Sequence, residues 1–173
     1  MDIYLTADTH FDHSRIIDYE KRPFSDNLEM TEVLIDNWNK VVKPNDLIFH
    51  LGDVFFCKAD RMQEIANRLN GRKILIRGNH DKGVSNGKFR KLGFEPRNYY
   101  QVDGLFLSHY PQDISAIKTA VNHGAIAGNV HGHVHSMIDG LDQQVYKCVS
   151  VELTGYKPIS LELVKNHFKF GGK

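Results

Sequence analysis

Short apolar runs that end abruptly on glycine or polar residues recur along this chain. Residues 3–7 stop at Asp8, residues 46–51 at Gly52-Asp53, and residues 73–76 shortly before Gly78-Asn79. Runs this short, bounded by turn residues, predict buried strands. Between them lie patterns of helical period. Over residues 26–42, Leu34, Trp38, Val41 and Val42 share a face, with Asp26 and Glu29 at capping-box spacing (Asp in place of Ser or Thr) and Pro44-Asn45 as the stop. Residues 60–69 carry Met62, Ile65, Ala66 and Leu69 on one stripe and end near Asn70-Gly71.

The second half is patterned differently. Residues 99–102 and 105–108 flank Asp103-Gly104, a strong two-residue hairpin signal. Residues 114–121 predict a helix, 125–130 a short strand, 145–153 a late strand and 160–168 a terminal helix. The βαβα order of the first half predicts parallel strands, and the hairpin-rich second half antiparallel ones. One mixed α/β sandwich accommodates both. No repeat, low-complexity stretch or linker divides residues 1–173, so a single domain is expected.

Composition changes this picture little. The 173 residues are 41% apolar and 25% charged with a net charge of +1. That fits a soluble globular chain and gives no sign of a polyanion-coating protein. Cys57 and Cys148 are far apart and outside any Cys-x-x-Cys motif, as expected of free thiols in a reducing compartment. No basic segment followed by a long apolar one opens the chain, so a cytoplasmic location with no membrane partner is expected. The ten histidines are many for this length and need a reason.

The reason lies in five motifs: Asp8-Thr9-His10, Gly52-Asp53, Gly78-Asn79-His80-Asp81, His109 and Gly132-His133-Val134-His135. Taken singly, each also fits an ordinary turn or strand edge. As a set most of them follow predicted strands, where ligand sites of open α/β sheets lie. Carboxylate, amide oxygen and imidazole without thiolate suit Mn²⁺, Fe or Zn²⁺, with Ni²⁺ also in range. Two divalent ions bring about +4, Asp8 and Asp53 about −2 and a shared hydroxide about −1, leaving about +1 to attract a phosphate group.

In this order the motifs resemble the calcineurin-like metallophosphoesterases, in their small single-domain bacterial and phage form. The resemblance implies a four-layer αββα sandwich with two mixed β-sheets. It implies two divalent metal ions, Mn²⁺ first, one held by Asp8, His10, Asp53 and His135, the other by Asp53, Asn79, His109 and His133. Asp53 bridges them, and His80 stabilises the transition state and protonates the leaving oxygen. The implied activity is hydrolysis of phosphate esters, phosphodiesters favoured, by a hydroxide between the metals. The expected partner is a small phosphate ester, a nucleotide among the candidates. A nuclease is the rival enzyme reading, although the charge does not indicate nucleic acid, and a metal-occupied binding scaffold is the non-enzyme one.

The protein serine/threonine phosphatases extend the second motif to Gly-Asp-x-x-Asp-Arg-Gly. Here it reads Gly52-Asp53-Val54-Phe55-Phe56-Cys57, so the acidic partner for His80 is missing. That argues against a protein phosphatase, and Asp81 is the substitute at hand. His13 and the Arg22-Pro23-Phe24 segment resemble one subgroup, with His13 a candidate to lie near substrate. Arg77 is the cation expected closest to the site. His131 is expected behind the ligands, His50 in the core, and His123 and His167 on the surface.

Overall fold

The computed structural model describes residues 1–170. In chain order the elements are β1 Ile3–Thr6, α1 Ser14–Tyr19, α2 Asn27–Val41, β2 Leu47–His50, α3 Ala59–Arg68, β3 Arg72–Ile76, α4 Asn86–Lys91, β4 Phe94–Arg97, β5 Tyr100–Val102, β6 Leu105–Leu107, α5 Ile114–Asn122, β7 Gly128–His131, β8 Tyr146–Cys148, β9 Ile159–Ser160 and α6 Leu161–Phe170, with 3₁₀ turns at His80–Gly83 and Val151–Leu153.

The strands form two sheets, ordered β4-β3-β2-β1-β9 and β5-β6-β7-β8. The first is parallel apart from β9, which lies antiparallel on β1. Alternation along the strands explains the layers. Leu5, Ala7, Phe49, Leu51, Ile74 and Ile76 face the second sheet and meet Leu105, Leu107, Val130 and Val149. Ile48 and Leu75 point the other way and bury Trp38, Leu34, Met30 and Ile65 from α2 and α3. Ile117 of α5 packs on Val145 and Tyr146 outside the second sheet. The result is the expected αββα sandwich with two mixed sheets. No helix among the described residues is long and apolar enough to cross a membrane.

The capping and turn signals are realised. The Asp26 side chain accepts from the Glu29 N–H, while Glu29 reaches back to Ser25 instead of to the cap residue, so the box is displaced by one position. Asp103 and Gly104 both have positive φ, 47° and 77°, as a type I′ hairpin turn requires.

Two expectations need correction. Only β5 and β6 are antiparallel in the second sheet, and β6, β7 and β8 are parallel. The connection from β6 carries α5, a crossover that returns the chain in the same direction. The strand expected over residues 145–153 ends at Cys148; Ser150 then pairs with Ala7 and a 3₁₀ turn follows. That break places Ser150 and Glu152 behind the candidate site. The helix α1, the short helix α4 and the strands β4 and β9 carry too few periodic residues to stand out in the pattern.

Candidate metal centre

Backbone pairing at the strand ends gathers the motifs. Beyond β1 and β2 the chains run on side by side: Asp8 N–H donates to the Gly52 carbonyl at 3.0 Å, His10 to Asp53 at 3.1 Å and Phe11 to Val54 at 2.8 Å. Asp81 ties in the third motif. Its buried carboxylate accepts from the N–H groups of Asp53 (2.8 Å), Val54 (3.1 Å) and Gly78 (2.8 Å). The second sheet is laced on by Asp8, whose Oδ2 accepts from the His133 N–H at 3.0 Å and the Ser150 hydroxyl at 2.6 Å.

Close approach governs two glycines. A Cβ on Gly52, which has φ +97°, would run into the His109 ring and come 2.7 Å from Gly78 N. A Cβ on Gly132 would sit 2.5 Å from Asp8 Oδ2. The same crowding shows in the backbone. Asp8 (φ 57°), His10 (47°), Asp53 (58°), His133 (70°) and His135 (50°) all adopt the left-handed conformation. For non-glycine residues this is uncommon, and it concentrates at functional sites.

The seven predicted ligands converge. Asp8, His10 and His135 place one ligand atom each within 4.8 Å of one another, and so do Asp53, His109 and His133. Asp53 stands between the groups, with Oδ2 3.8 Å from His10 Nε2 and 3.5 Å from His109 Nε2. Asn79 Oδ1 is 2.9 Å from His109 Nε2. The Nδ1 of His109 donates to the Leu51 carbonyl at 2.7 Å, so in the neutral ring Nε2 holds a lone pair. That lone pair and the oxygens of Asp53 and Asn79 then face one another, an arrangement a cation resolves.

The first group makes the same point. Asp8 Oδ1 and both ring nitrogens of His10 are buried without a hydrogen-bond partner. Buried polar groups rarely stay unpaired. Burial raises the Asp8 carboxyl to about 6 and pulls His10 well below the ordinary imidazole value. Burial also lowers His133. For His135 burial acts downward, but the hydrogen bond it donates to Glu152 and the charge of Asp8 outweigh it and leave it raised. Acidic oxygens and imidazoles with open lone pairs, no thiolate among them, fit divalent cations of the Mn²⁺, Fe or Zn²⁺ class.

His135 has a brace that the sequence did not announce. Its Nδ1 lies 3.0 Å from Glu152 Oε1, and Arg22 clasps the same oxygen through Nε (2.9 Å) and Nη2 (2.5 Å). Arg22, 3% exposed, also donates to the Asp8 and Thr9 carbonyls. Glu152 and Ser150 act only through tertiary proximity; the sequence signals for this layer were Asp81, at the end of the third motif, and Arg22 in the Arg22-Pro23-Phe24 segment.

The remaining expectations divide. His80 is exposed at the rim, its ring 5.4 Å from that of His10, with its N–H on Asp53 Oδ1 at 2.9 Å. Asp81 is not its acidic partner, because three backbone donors occupy that carboxylate. Arg77 does not reach the ligands: its guanidinium holds the Asp81 and Val84 carbonyls and Asn86, bracing the loop after the third motif. His13 does lie beside the site, with its ring 5.6 Å from His10. His50 is a core residue bonded to Thr9, and burial pulls it down to about 3. His131 is buried behind the ligands, with Nδ1 on the Gly132 carbonyl. His123 is exposed as expected, but His167 is half-buried and bonds the Gln143 and Tyr146 carbonyls.

Residues 1–165 match the family model for calcineurin-like phosphoesterases. An uncharacterized protein of Methanocaldococcus jannaschii is 39% identical over 171 residues, covering 94% of this chain and 88% of its own. Among solved structures, a protein of unknown function from Aquifex aeolicus superposes with a TM-score of 0.74 at 29% identity, over 95% of this chain and 98% of that one. The nuclease MPE of Pseudomonas putida shares the fold at a TM-score of 0.52 and 22% identity, over 77% of this chain and 61% of its own.

Proposed function

This chain belongs to the calcineurin-like phosphoesterase family, and we propose that it is a two-metal phosphodiesterase acting as one domain over residues 1–173. The observation that carries this reading is the convergence of two ligand groups on the shared carboxylate of Asp53, with buried acceptor atoms left unpaired around it. Asp8, His10, Asp53 and His135 would hold one ion, and Asp53, Asn79, His109 and His133 the other, with Mn²⁺ first and Fe, Zn²⁺ or Ni²⁺ as alternatives.

Bound there, two divalent ions supply an activated water and draw charge off the phosphoryl oxygens. The protein's own groups set the rest. The Leu51 carbonyl and Glu152 fix the tautomers of His109 and His135, so that each presents Nε2 inward. His80 stands at the open rim, within reach of an ester oxygen that leaves toward solvent. An imidazole there can serve as general acid to that oxygen.

The open rim supports diesters over a deeply bound monoester. A nuclease would run the same chemistry on a polymer, as the Pseudomonas putida protein of similar fold is named. A non-catalytic scaffold accounts poorly for His80, which no ligand role requires. The test is turnover with Mn²⁺ of bis(4-nitrophenyl) phosphate against 4-nitrophenyl phosphate, with the bound metal counted in parallel. Two ions per chain and faster diester cleavage are expected. At most one ion would overturn the two-metal reading, no turnover of either ester the enzymatic one, and faster monoester cleavage the diester preference.

A further inference from the structure

Beside His80 the surface opens into a cavity of about 420 Å³ whose lining includes His13, Arg15, Tyr19, Phe56 and His80. Its walls are mostly rings. His13 stacks on Phe56 at 3.8 Å between centroids and 23° between planes, and the His80 ring meets Phe56 edge-on at 5.7 Å. Phe56 and Tyr19 are 47% and 65% exposed, large apolar faces with no core to fill. The Arg15 guanidinium forms no ion pair among the described residues. The cavity borders the candidate metal centre, since the rings of its lining residues His13 and His80 lie 5.6 and 5.4 Å from that of His10. A cavity of about 500 Å³ lined by Ala59, Gln63 and Lys88 contains no site residue and no aromatic ring.

We propose that this cavity is the leaving-group subsite and that it takes the base of a nucleoside phosphate. The inference rests on the phosphodiesterase reading and gives it a substrate class. A flexible alcohol such as glycerol or choline gains little from ring walls. A flat heteroaromatic base stacks on the Phe56–His13 pair and on Tyr19, whatever its sequence identity, because every base has a π-face. The guanidinium of Arg15 adds a cation that can stack on the base or meet a neighbouring phosphate. The volume lies within the roughly 300–1,000 Å³ typical of small-molecule sites. His80 at the mouth then stands where base and ribose join the scissile ester.

Calorimetric titration of the Mn²⁺-loaded protein tests this with three probes: inorganic phosphate, ribose 5-phosphate and adenosine 5′-monophosphate. Adenosine monophosphate is expected to bind about 5- to 150-fold tighter than ribose phosphate, the range that stacking of one base supplies. Phe56→Ala should remove most of that advantage and Tyr19→Ala a smaller part, with the affinity for inorganic phosphate as the control for an intact centre. Equal binding of the two sugar phosphates, or an undiminished adenosine advantage in Phe56→Ala, would overturn the subsite while leaving metal-dependent phosphate binding in place. Failure of inorganic phosphate itself to bind in a metal-dependent way would defeat the phosphodiesterase reading beneath it.

Discussion

The two halves of the candidate metal centre are built from similar side chains but braced in different ways. Asp8, His10 and His135 sit 0%, 2% and 9% exposed over an ionic support, Arg22 clasping Glu152 and Glu152 holding the His135 ring. Asn79, His109 and His133 rest on neutral groups: the Leu51 carbonyl fixes His109, and the Tyr110 ring meets His109 edge-on and His133 at a tilt, 4.9 Å and 4.4 Å between centroids. His133 and Asn79 are also only half-buried. A carboxylate behind an imidazole makes it a stronger donor than a carbonyl does. The first ion is therefore expected to bind tighter and exchange more slowly than the second.

The largest expected effect removes the distinction. Asp53→Asn deletes the carboxylate that stands between both halves and should cost more than any single histidine change, with neither ion retained at ordinary metal concentrations. Near wild-type turnover under saturating Mn²⁺ would take Asp53 out of the bridging role.

Next comes His80→Ala, which belongs to neither half. Turnover of an alkyl diester should fall about 10²–10⁴-fold, as for a lost general acid. An aryl diester, whose leaving group needs no proton, should lose less, and both ions should stay bound. Equal losses on the two substrates would leave phosphate stabilisation alone, and a missing ion would make His80 a ligand.

Glu152→Gln should act on one half only. It keeps the shape but removes the charge behind His135, so metal affinity at the first group should fall about 10–100-fold while the second holds. Competition against a chelator reads the two steps separately, without any activity measurement. A uniform loss would show that the ionic support serves both ions.

The smallest effect is expected from Tyr110→Leu. Aromatic pairs are worth about 0.5–1.5 kcal/mol, or roughly 2- to 12-fold. The loss should fall on the second ion. A shift in the first ion's affinity instead would mean that the halves are coupled through Asp53 more strongly than their separate braces imply.

The sequence disclosed these halves unequally. Asp8, Asp53 and Asn79 were legible because each falls just past a predicted strand, where ligand sites of open α/β sheets lie. His133 and His135 were legible only as members of the ordered set of motifs, because their alternation alone also fits an ordinary strand edge; both lie past the end of β7 in left-handed backbone. Glu152 carries no such mark. It lies in a stretch whose apolar residues predict a strand, and only the early end of β8 at Cys148 turns it toward His135. Asp81 was misread for a related reason. Its neighbours in sequence made it a candidate partner for His80, whereas the carboxylate turns inward to collect three backbone N–H groups. In the fold, the parallel first sheet was legible from long helices between apolar strands. The direction of β7 and β8 was not, because three- and four-residue strands carry no sign of which way the connecting chain brings them in.

The left-handed backbone at Asp8, His10, Asp53, His133 and His135 has a consequence for directed mutagenesis. That conformation is most open to glycine, asparagine, aspartate and histidine. Shape and chemistry thus recruit from the same short alphabet of amino acids. A saturation library at these five positions, sorted for folded protein, should be enriched in those four and depleted of valine, isoleucine and threonine. Glutamate, which carries the same charge as aspartate, should be scarce at positions 8 and 53 before any catalytic selection is applied. Sorting the same library for turnover should then discard glycine and keep little beyond the original residues.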